Sequence, residues 1–281
     1  MIKEKKVNKF NIKDMSLYKT TDRFLNNYNY LKKSLGREPT LEEISDIDQL
    51  HYNGTEAVNE AISKTKINKN STVLDIGSGI GGPTRYIARK TKANIYAIEI
   101  QNELNQIAKK LTSSYKLNNS IKHIRGDVLI YPFKNVKFDN IVSWLALYHI
   151  PERKKLLKKL HFLLKDNGLF YAEDFYLKKN IDNSEKESLA KYFHANHLID
   201  FNIYQKELIN NNFEILEIKE MSTNWTKFTK NRLNTYKNNY YNHLKVNSKI
   251  TVNNVLGFYD LAFKLLSNNT IGGIRYIIKK K

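Results

Sequence analysis

Three acidic side chains and a run of glycines are the residues whose types and spacing point most directly to chemistry. The glycines lie in the stretch Val73 to Gly82, which reads V-L-D-I-G-S-G-I-G-G and places Asp75 just before the first glycine. Glu99 and Asp127 follow at the ends of the next two apolar stretches. Glycines let the chain turn sharply and approach a ligand, and a following helix presents unpaired N–H groups. The pattern predicts a Rossmann-type cofactor site with a ribose-binding acid, and an NAD site or a degenerate Rossmann domain is the alternative.

His149 is the residue best suited to proton transfer. It follows a predicted fourth strand, in the stretch Ser143 to Pro151. In an open α/β sheet this position lies beyond the cofactor, where an acceptor binds. A histidine there could take a proton from an amine or a hydroxyl group, since its ordinary pKa is about 6.5. A purely structural histidine, capping the helix after Pro151, is the alternative.

Glu173 and Asp174 end the predicted fifth strand. Adjacent strand residues point to opposite faces, so only one of the two carboxylates can easily face a pocket. Such a carboxylate would suit a cationic acceptor, and nearby aromatic residues could add a cation–π cage. A loop-fixing acid and an ordinary aromatic core are the alternatives. The aromatic residues are Trp144, Tyr148, Phe175 and Tyr176.

The sequence predicts no metal site. His194 and His197 have a spacing that could bind a metal, but no third ligand is evident. The chain has no cysteine, which excludes disulfides, thiolate ligands and a cysteine nucleophile.

The elements that must position these residues alternate between strands and helices from Val73 onward, which predicts an α/β fold. We expect a Rossmann-like, seven-stranded, mostly parallel sheet with helices on both faces. The predicted strands are 72–76, 94–98, 121–125, 138–143, 168–173, 213–219 and 273–278. The predicted helices are 83–90, 101–116, 152–165 and 202–211.

Two further helical segments are predicted outside this alternation of strands and helices. Residues 1–64 are predicted to form an N-terminal helical lid, with a capping box at Thr40 and Glu43 and a helix from about Thr55. Residues 65–281 form the main domain, in which 221–270 is a helical insertion before the last strand.

Composition bounds the class of protein. The 281 residues are 41% hydrophobic, which supports a real core, and carry a net charge of +19. The lysines are spread along the chain, and the densest run, from Arg153 to Lys159, alternates with leucines as the solvated face of a helix. Nucleic-acid binding is therefore not favoured. No signal peptide or membrane span is evident, and we expect a cytoplasmic monomer or homodimer.

The set of an acid before the glycines, an acid after strand two and an acid after strand three resembles the class I S-adenosylmethionine (SAM) methyltransferases. In that family the glycine loop packs against the methionine end of SAM, the second acid holds the ribose, and the third contacts the adenine. The resemblance implies that SAM is the cofactor and S-adenosylhomocysteine (SAH) the product. The implied cofactor-binding residues are Asp75, Gly77, Ser78, Gly79, Gly81, Glu99, Ile100, Gln101, Asp127, Val128 and Trp144.

Three stretches resemble one subgroup, the phosphoethanolamine N-methyltransferases: 53–57, 143–149 and 204–213. Those enzymes pair a histidine at the position of His149 with an N-terminal tyrosine, for which Tyr28, Tyr30 and Tyr18 are the candidates here. The implied acceptor contacts are Tyr52, Trp144, Tyr148, Glu173 and Asp174.

The chain also departs from this subgroup. An acid of the subgroup is Leu145 here, a tyrosine is Phe175, and the phosphate-holding cluster is replaced around Ala195 and Asn196. The expected function is therefore methyl transfer to a small amine, phosphobase-like or amino-acid-like. Transfer to oxygen or sulfur is the alternative within this class. An RNA methyltransferase and a non-catalytic SAM-binding protein are the alternatives outside it.

Overall fold

A computed structural model describes Tyr18 and residues 20–281 of the chain. Its seven strands form one sheet in the order β3-β2-β1-β4-β5-β7-β6. The strands are β1 Thr72–Ile76, β2 Asn94–Glu99, β3 Ile121–Arg125, β4 Phe138–Trp144, β5 Leu164–Leu177, β6 Phe213–Glu220 and β7 Ile271–Lys280. The first five strands pair in parallel, and β7 runs antiparallel between β5 and β6. The predicted mostly parallel, seven-stranded sheet is confirmed.

Helices cover both faces of this sheet. They are α1 Asp22–Leu35, α2 Ser45–Asp48, α3 Gly54–Thr65, α4 Gly82–Thr91, α5 Asn102–Ser114, α6 Arg153–Leu163, α7 Asn183–Ser188, α8 Phe201–Asn210, α9 Ser222–Asn238, α10 Tyr240–Leu244 and α11 Lys249–Ser267. Strands β1 and β4 are almost wholly buried, as expected for parallel strands covered on both sides. One apolar core lies under α3 to α5, a second lies under α6 and α8, and a third joins the insertion helices to β5.

Helix α6 shows how the basic composition is accommodated. Leu156, Leu157 and Leu160 are buried, while Lys154, Lys155 and Lys158 are exposed. The lysine-rich run is therefore the solvated face of an amphipathic helix, as predicted.

Two boundaries differ from the sequence prediction. The Thr40–Glu43 capping box forms, with Thr40 N–H donating to Glu43 and Glu43 N–H donating to Thr40, but regular helix spans only Ser45–Asp48. Strand β5 begins at Leu164 rather than after Asn167, because Leu164 already pairs with Phe138 of β4. Asn167, with a positive φ of 62°, lies in the register shift that follows this first pair.

The sheet order puts the switch point between β1 and β4. Strand β1 pairs with β2 on one side and with β4 on the other, so the chain leaves the carboxyl edge in opposite directions there. Ligands of open α/β sheets bind in the crevice that this divergence creates.

Candidate active site

The glycine loop turns tightly against the residue that follows strand β4. Gly77 has a φ of +67°, and a Cβ on it would lie 2.3 Å from Ala146 Cβ. The N–H groups of Gly77 and Ser78 both donate to the carbonyl oxygen of Ile98, at 3.0 and 3.1 Å. Only glycine combines this backbone conformation with so close an approach.

The three predicted acids lie at the carboxyl ends of adjacent strands. Glu99 accepts hydrogen bonds from Gly79 N–H at 2.9 Å and from Gln101 N–H at 2.8 Å. Asp127 accepts one from Leu129 N–H at 2.8 Å. Each carboxylate keeps further lone pairs that a ligand hydroxyl or amine could use.

Burial raises the pKa of two of these acids. It raises the pKa of Asp75 to about 7, against the lowering effect of the hydrogen bond that Thr84 donates, and the Glu99 carboxylate adds to the rise. Burial also raises the pKa of Glu99, although the N–H groups of Gln101 and Gly79 oppose the shift. Both acids are therefore prepared for a cationic or hydrogen-bonding partner.

One cavity of about 800 Å³ joins this edge to the region around His149. All the predicted cofactor residues line it except Gly81, which is the N-cap of α4. Tyr52, Trp144, Tyr148 and His149 line it as well. The insertion helices supply its far wall through Thr229, Arg232, Phe258, Tyr259 and Ala262. The cavity size suits a cofactor and a small second molecule together.

His149 is held in one tautomer. Its Nδ1 lies 3.1 Å from the backbone carbonyl oxygen of His194, which can only accept a hydrogen bond, so Nδ1 carries the proton. Burial lowers the pKa of His149 to about 3, so the imidazole is neutral at pH 7. Its Nε2 is unprotonated and has no partner among the described residues.

Glu173 and Asp174 do not line this cavity, contrary to the predicted substrate role. Tyr171 OH donates to Glu173 at 2.6 Å, and Tyr204 OH donates to Asp174 at 2.7 Å. Both carboxylates are buried against the two faces of the sheet, and burial raises the pKa of Glu173 to about 7 and that of Asp174 to about 6. The alternation of side chains along β5 points both residues into the cores instead of beyond the strand end.

The structure also separates the three candidate tyrosines. Tyr18 lines the cavity, and burial and the nearby Glu99 carboxylate raise its pKa. Tyr28 and Tyr30 do not line it: Tyr28 is buried and donates to Glu38, and Tyr30 is 51% exposed. These two lie in α1, where residues two apart face nearly opposite directions.

Several cavity residues had no assigned role in the sequence-based reasoning. His51 lies against Trp144, with ring centroids 5.4 Å apart, and burial lowers its pKa to about 3. Arg232 is the one lysine or arginine in the cavity wall among the described residues. His194 and His197 line the wall too, but the described part of the chain holds no cluster of three or more metal-ligating side chains. Among these residues only the His194 and His197 pair was singled out from the sequence, as a candidate for metal binding.

Comparison with known proteins gives one family. A family model described as a methyltransferase domain matches residues 74–172. The chain is 30% identical over 208 residues to phosphoethanolamine N-methyltransferase of Plasmodium falciparum, covering 73% of this chain and 75% of that protein. It is 27% identical over 175 residues to sterol 24-C-methyltransferase of Saccharomyces cerevisiae, covering 57% of this chain and 44% of that protein.

A solved structure shares the fold. Phosphoethanolamine N-methyltransferase 2 of Haemonchus contortus, in complex with SAM, superposes with a TM-score of 0.79 at 15% identity. The match covers 95% of this chain and 59% of that one, so this chain spans less than two thirds of that protein.

Proposed function

This chain is a SAM-dependent methyltransferase of the class I family, and we propose that it methylates the nitrogen of a small amine that also carries an acid group. The observation that carries the proposal is that one continuous cavity joins the acids and glycines at the ends of β1 to β3 to a neutral histidine with an unpaired Nε2. A cofactor site and a proton acceptor share one enclosed space there.

The residues at the β1–β4 edge fit SAM. Two buried polar atoms there, Ser78 Oγ and Trp144 Nε1, have no hydrogen-bond partner among the described residues. We place the ribose hydroxyls at Glu99 and the adenine at Asp127, with the methionine end at Asp75 and Gly77. Bound there, SAM supplies a methyl group that joins the acceptor's lone pair while the electrons of the broken C–S bond stay on sulfur.

His149 suits an acceptor that must lose a proton. An amine is protonated in water at pH 7 and has a free lone pair only after deprotonation. The lone pair on Nε2 of His149 can accept a hydrogen bond from the amine, because burial keeps the ring neutral and the His194 carbonyl holds the proton on Nδ1. Full transfer of the proton to His149 requires that acceptor binding raise the pKa of the ring well above its buried value of about 3. Of the three N-terminal candidates, Tyr18 is the one that lines the cavity and would accompany His149.

The part of the cavity around His149, here called the acceptor end, favours a methyl acceptor that carries both an amine and an anionic group. Glu173 and Asp174 point into the cores, and the described acids that do line the cavity, Asp48, Asp75, Glu99 and Asp127, belong to α2 and to the ends of β1, β2 and β3. The aromatic rings of Tyr52, Tyr148 and Phe175 surround this end instead, and such rings can stabilise the cationic product. Arg232 supplies positive charge for a carboxylate or a phosphate of the acceptor.

Carbon methylation is the second candidate function. The aromatic wall would also stabilise the carbocation that forms when an alkene is methylated. The similarity to a sterol 24-C-methyltransferase supports keeping this candidate.

Calorimetry with SAM and SAH tests the cofactor site. We expect binding by the wild type and about 10- to 100-fold weaker binding by Glu99→Gln, the range for a hydrogen bond to a charged group. Glu214→Gln, at an exposed position of β6, is the control and should bind normally. Absence of SAM binding by the wild type would overturn the assignment of the site.

An SAH-release screen tests the acceptor class. Matched pairs such as ethanolamine with phosphoethanolamine, and dimethylamine with sarcosine, separate the amine from its acid group. We expect turnover of the acid-bearing member of a pair and little turnover of the other. Turnover confined to sterols or other alkenes would establish the carbon alternative, and turnover confined to RNA would place the enzyme in a different class.

A further inference from the structure

The segment that carries His194 is fixed to the cavity by its preceding residue. Phe193 is fully buried, stacks on Phe258 of α11 at 4.8 Å and lies 6.1 Å from Phe175 of β5. It ends a single π-helical turn, Leu189–Phe193. Turns of this kind are rare and occur frequently at functional sites.

The imidazole of His194 is buried without a partner. Its residue exposure is 8%, and neither Nδ1 nor Nε2 has a hydrogen-bond partner among the described residues. The ring lines the cavity and lies 6.2 Å from the His149 ring. Buried polar groups are almost always hydrogen-bonded, so a group that reaches into a ligand cavity unpaired is suited to bonding the ligand.

The backbone of His194 is strained. Its φ is +53°, in the left-handed region that costs a residue with a side chain about 1–2 kcal/mol. Glycine would adopt this conformation without strain and would still offer the carbonyl that binds His149. Stability alone therefore does not account for a histidine at this position.

We propose that His194 contacts the methyl acceptor through its imidazole, while its carbonyl sets the tautomer of His149. A neutral imidazole offers one N–H donor and one acceptor, so it suits an oxygen-bearing group of the acceptor, an acid or a hydroxyl. His194 is then both a specificity residue and a positioning residue for His149. This inference rests on the proposed function, because it needs an acceptor in the cavity.

The variant His194→Gly separates the two roles. It removes the imidazole but keeps the carbonyl and relaxes the backbone. We expect the KM for the acceptor to rise about tenfold, as for one lost hydrogen bond, with kcat and SAM affinity nearly unchanged. His194→Asn, which also tolerates a positive φ, should fall between the wild type and His194→Gly. Asn212→Gly is the control, because it relaxes a φ of +61° outside the cavity wall.

A second measurement does not depend on turnover. Long-range ¹⁵N–¹H NMR of the histidine rings, recorded with SAH bound, should show His149 protonated at Nδ1 in both the wild type and His194→Gly. Protonation at Nε2 would overturn the positioning role. An unchanged KM in His194→Gly, with an active wild type, would overturn the contact role. A wild type that methylates no acceptor would instead overturn the proposed function, and this inference with it.

Discussion

Burial in the cavity wall shifts the pKa of individual side chains away from their values in water. Burial lowers the pKa of His51 and His149 to about 3 and raises that of Asp75 to about 7. The histidines are therefore neutral at pH 7, and Asp75 is only partly ionised. At neutral pH a histidine in this state accepts a hydrogen bond from an amine, and it becomes a stronger base only if the bound acceptor raises its pKa.

The shift at His149 predicts a pH-dependent stability. Below pH 6.5 the unfolded chain protonates His149, whereas the folded chain does so only near pH 3, so acid favours unfolding. Between pH 7.5 and pH 5.5 the wild type should lose about 1 kcal/mol of unfolding free energy relative to His149→Gln, which lacks this proton uptake. Urea unfolding of both proteins at the two pH values measures this difference. A constant difference would show that His149 titrates normally in the folded protein.

The strand and helix arrangement depends on the tight loop after β1. At Gly77 an added Cβ would meet Ala146 and the φ of +67° would be strained. The loop therefore fixes the separation of β1 and the segment after β4, and with it the width of the cavity.

Gly77→Ala should lower the free energy of unfolding by about 2–4 kcal/mol, because overpacking and backbone strain add. It should also weaken SAM binding in calorimetry. Gly257→Ala in α11 is the matched control, since its Cβ would meet nothing within 4 Å. That change should stabilise the helix by about 0.5–1 kcal/mol. A Gly77→Ala protein with wild-type stability would contradict the tight approach.

The N-terminal helices pack directly on the cofactor edge. Asp48 of α2 forms a fully buried ion pair with Arg85 of α4, at 2.8 Å. Asp48 and Leu50 both line the cavity, so the segment closes one of its sides. These contacts support our proposal that residues 1–64 act as a lid on a domain formed by 65–281.

Arg232 joins two parts of the molecule that are distant in the chain. Its guanidinium, on α9 of the insertion, donates to the carbonyl oxygens of Gln49, Leu50 and His51 at 3.2, 3.3 and 3.0 Å. The segment after α2 and the insertion, nearly two hundred residues apart in the chain, are thereby joined at the cavity wall.

Arg232→Ala should lower the free energy of unfolding by about 1–3 kcal/mol, the range for hydrogen bonds to a charged group. Limited proteolysis should then cut first near residues 49–51. Lys64→Ala is the control, because it removes an exposed ion pair of 2.7 Å to Glu217 and should cost under about 1 kcal/mol. Equal effects of the two substitutions would show that Arg232 does not join the two segments.

Three properties of the whole molecule are predicted from the sequence alone: its location, its oligomeric state and its lack of nucleic-acid binding. None of the helices in 20–281 is long and apolar enough to cross a membrane. A cytoplasmic location, a monomeric or dimeric state and the absence of nucleic-acid binding remain expectations from the sequence.

The sequence by itself determined the sheet and the cofactor edge. All seven strands, the four predicted helices between residues 83 and 211 and the helical insertion lie within a few residues of their predicted positions, whereas the sequence does not predict α7. Asp75, Glu99 and Asp127 could be predicted to lie in one cavity because each stands at the carboxyl end of its own strand, and the ends of parallel strands meet at one edge. Apolar periodicity and glycine position are local signals, which a single sequence carries in full.

Only the tertiary structure decided the acceptor end. Which face of β5 each carboxylate meets depends on the helices that cover it, and this directed Glu173 and Asp174 into the cores. The choice of Tyr18 over Tyr28 and Tyr30, and the meeting of His149 with His194, depend on segments that return from distant parts of the chain. Such contacts leave no periodic pattern in the sequence, because they are set by packing between elements and not within one.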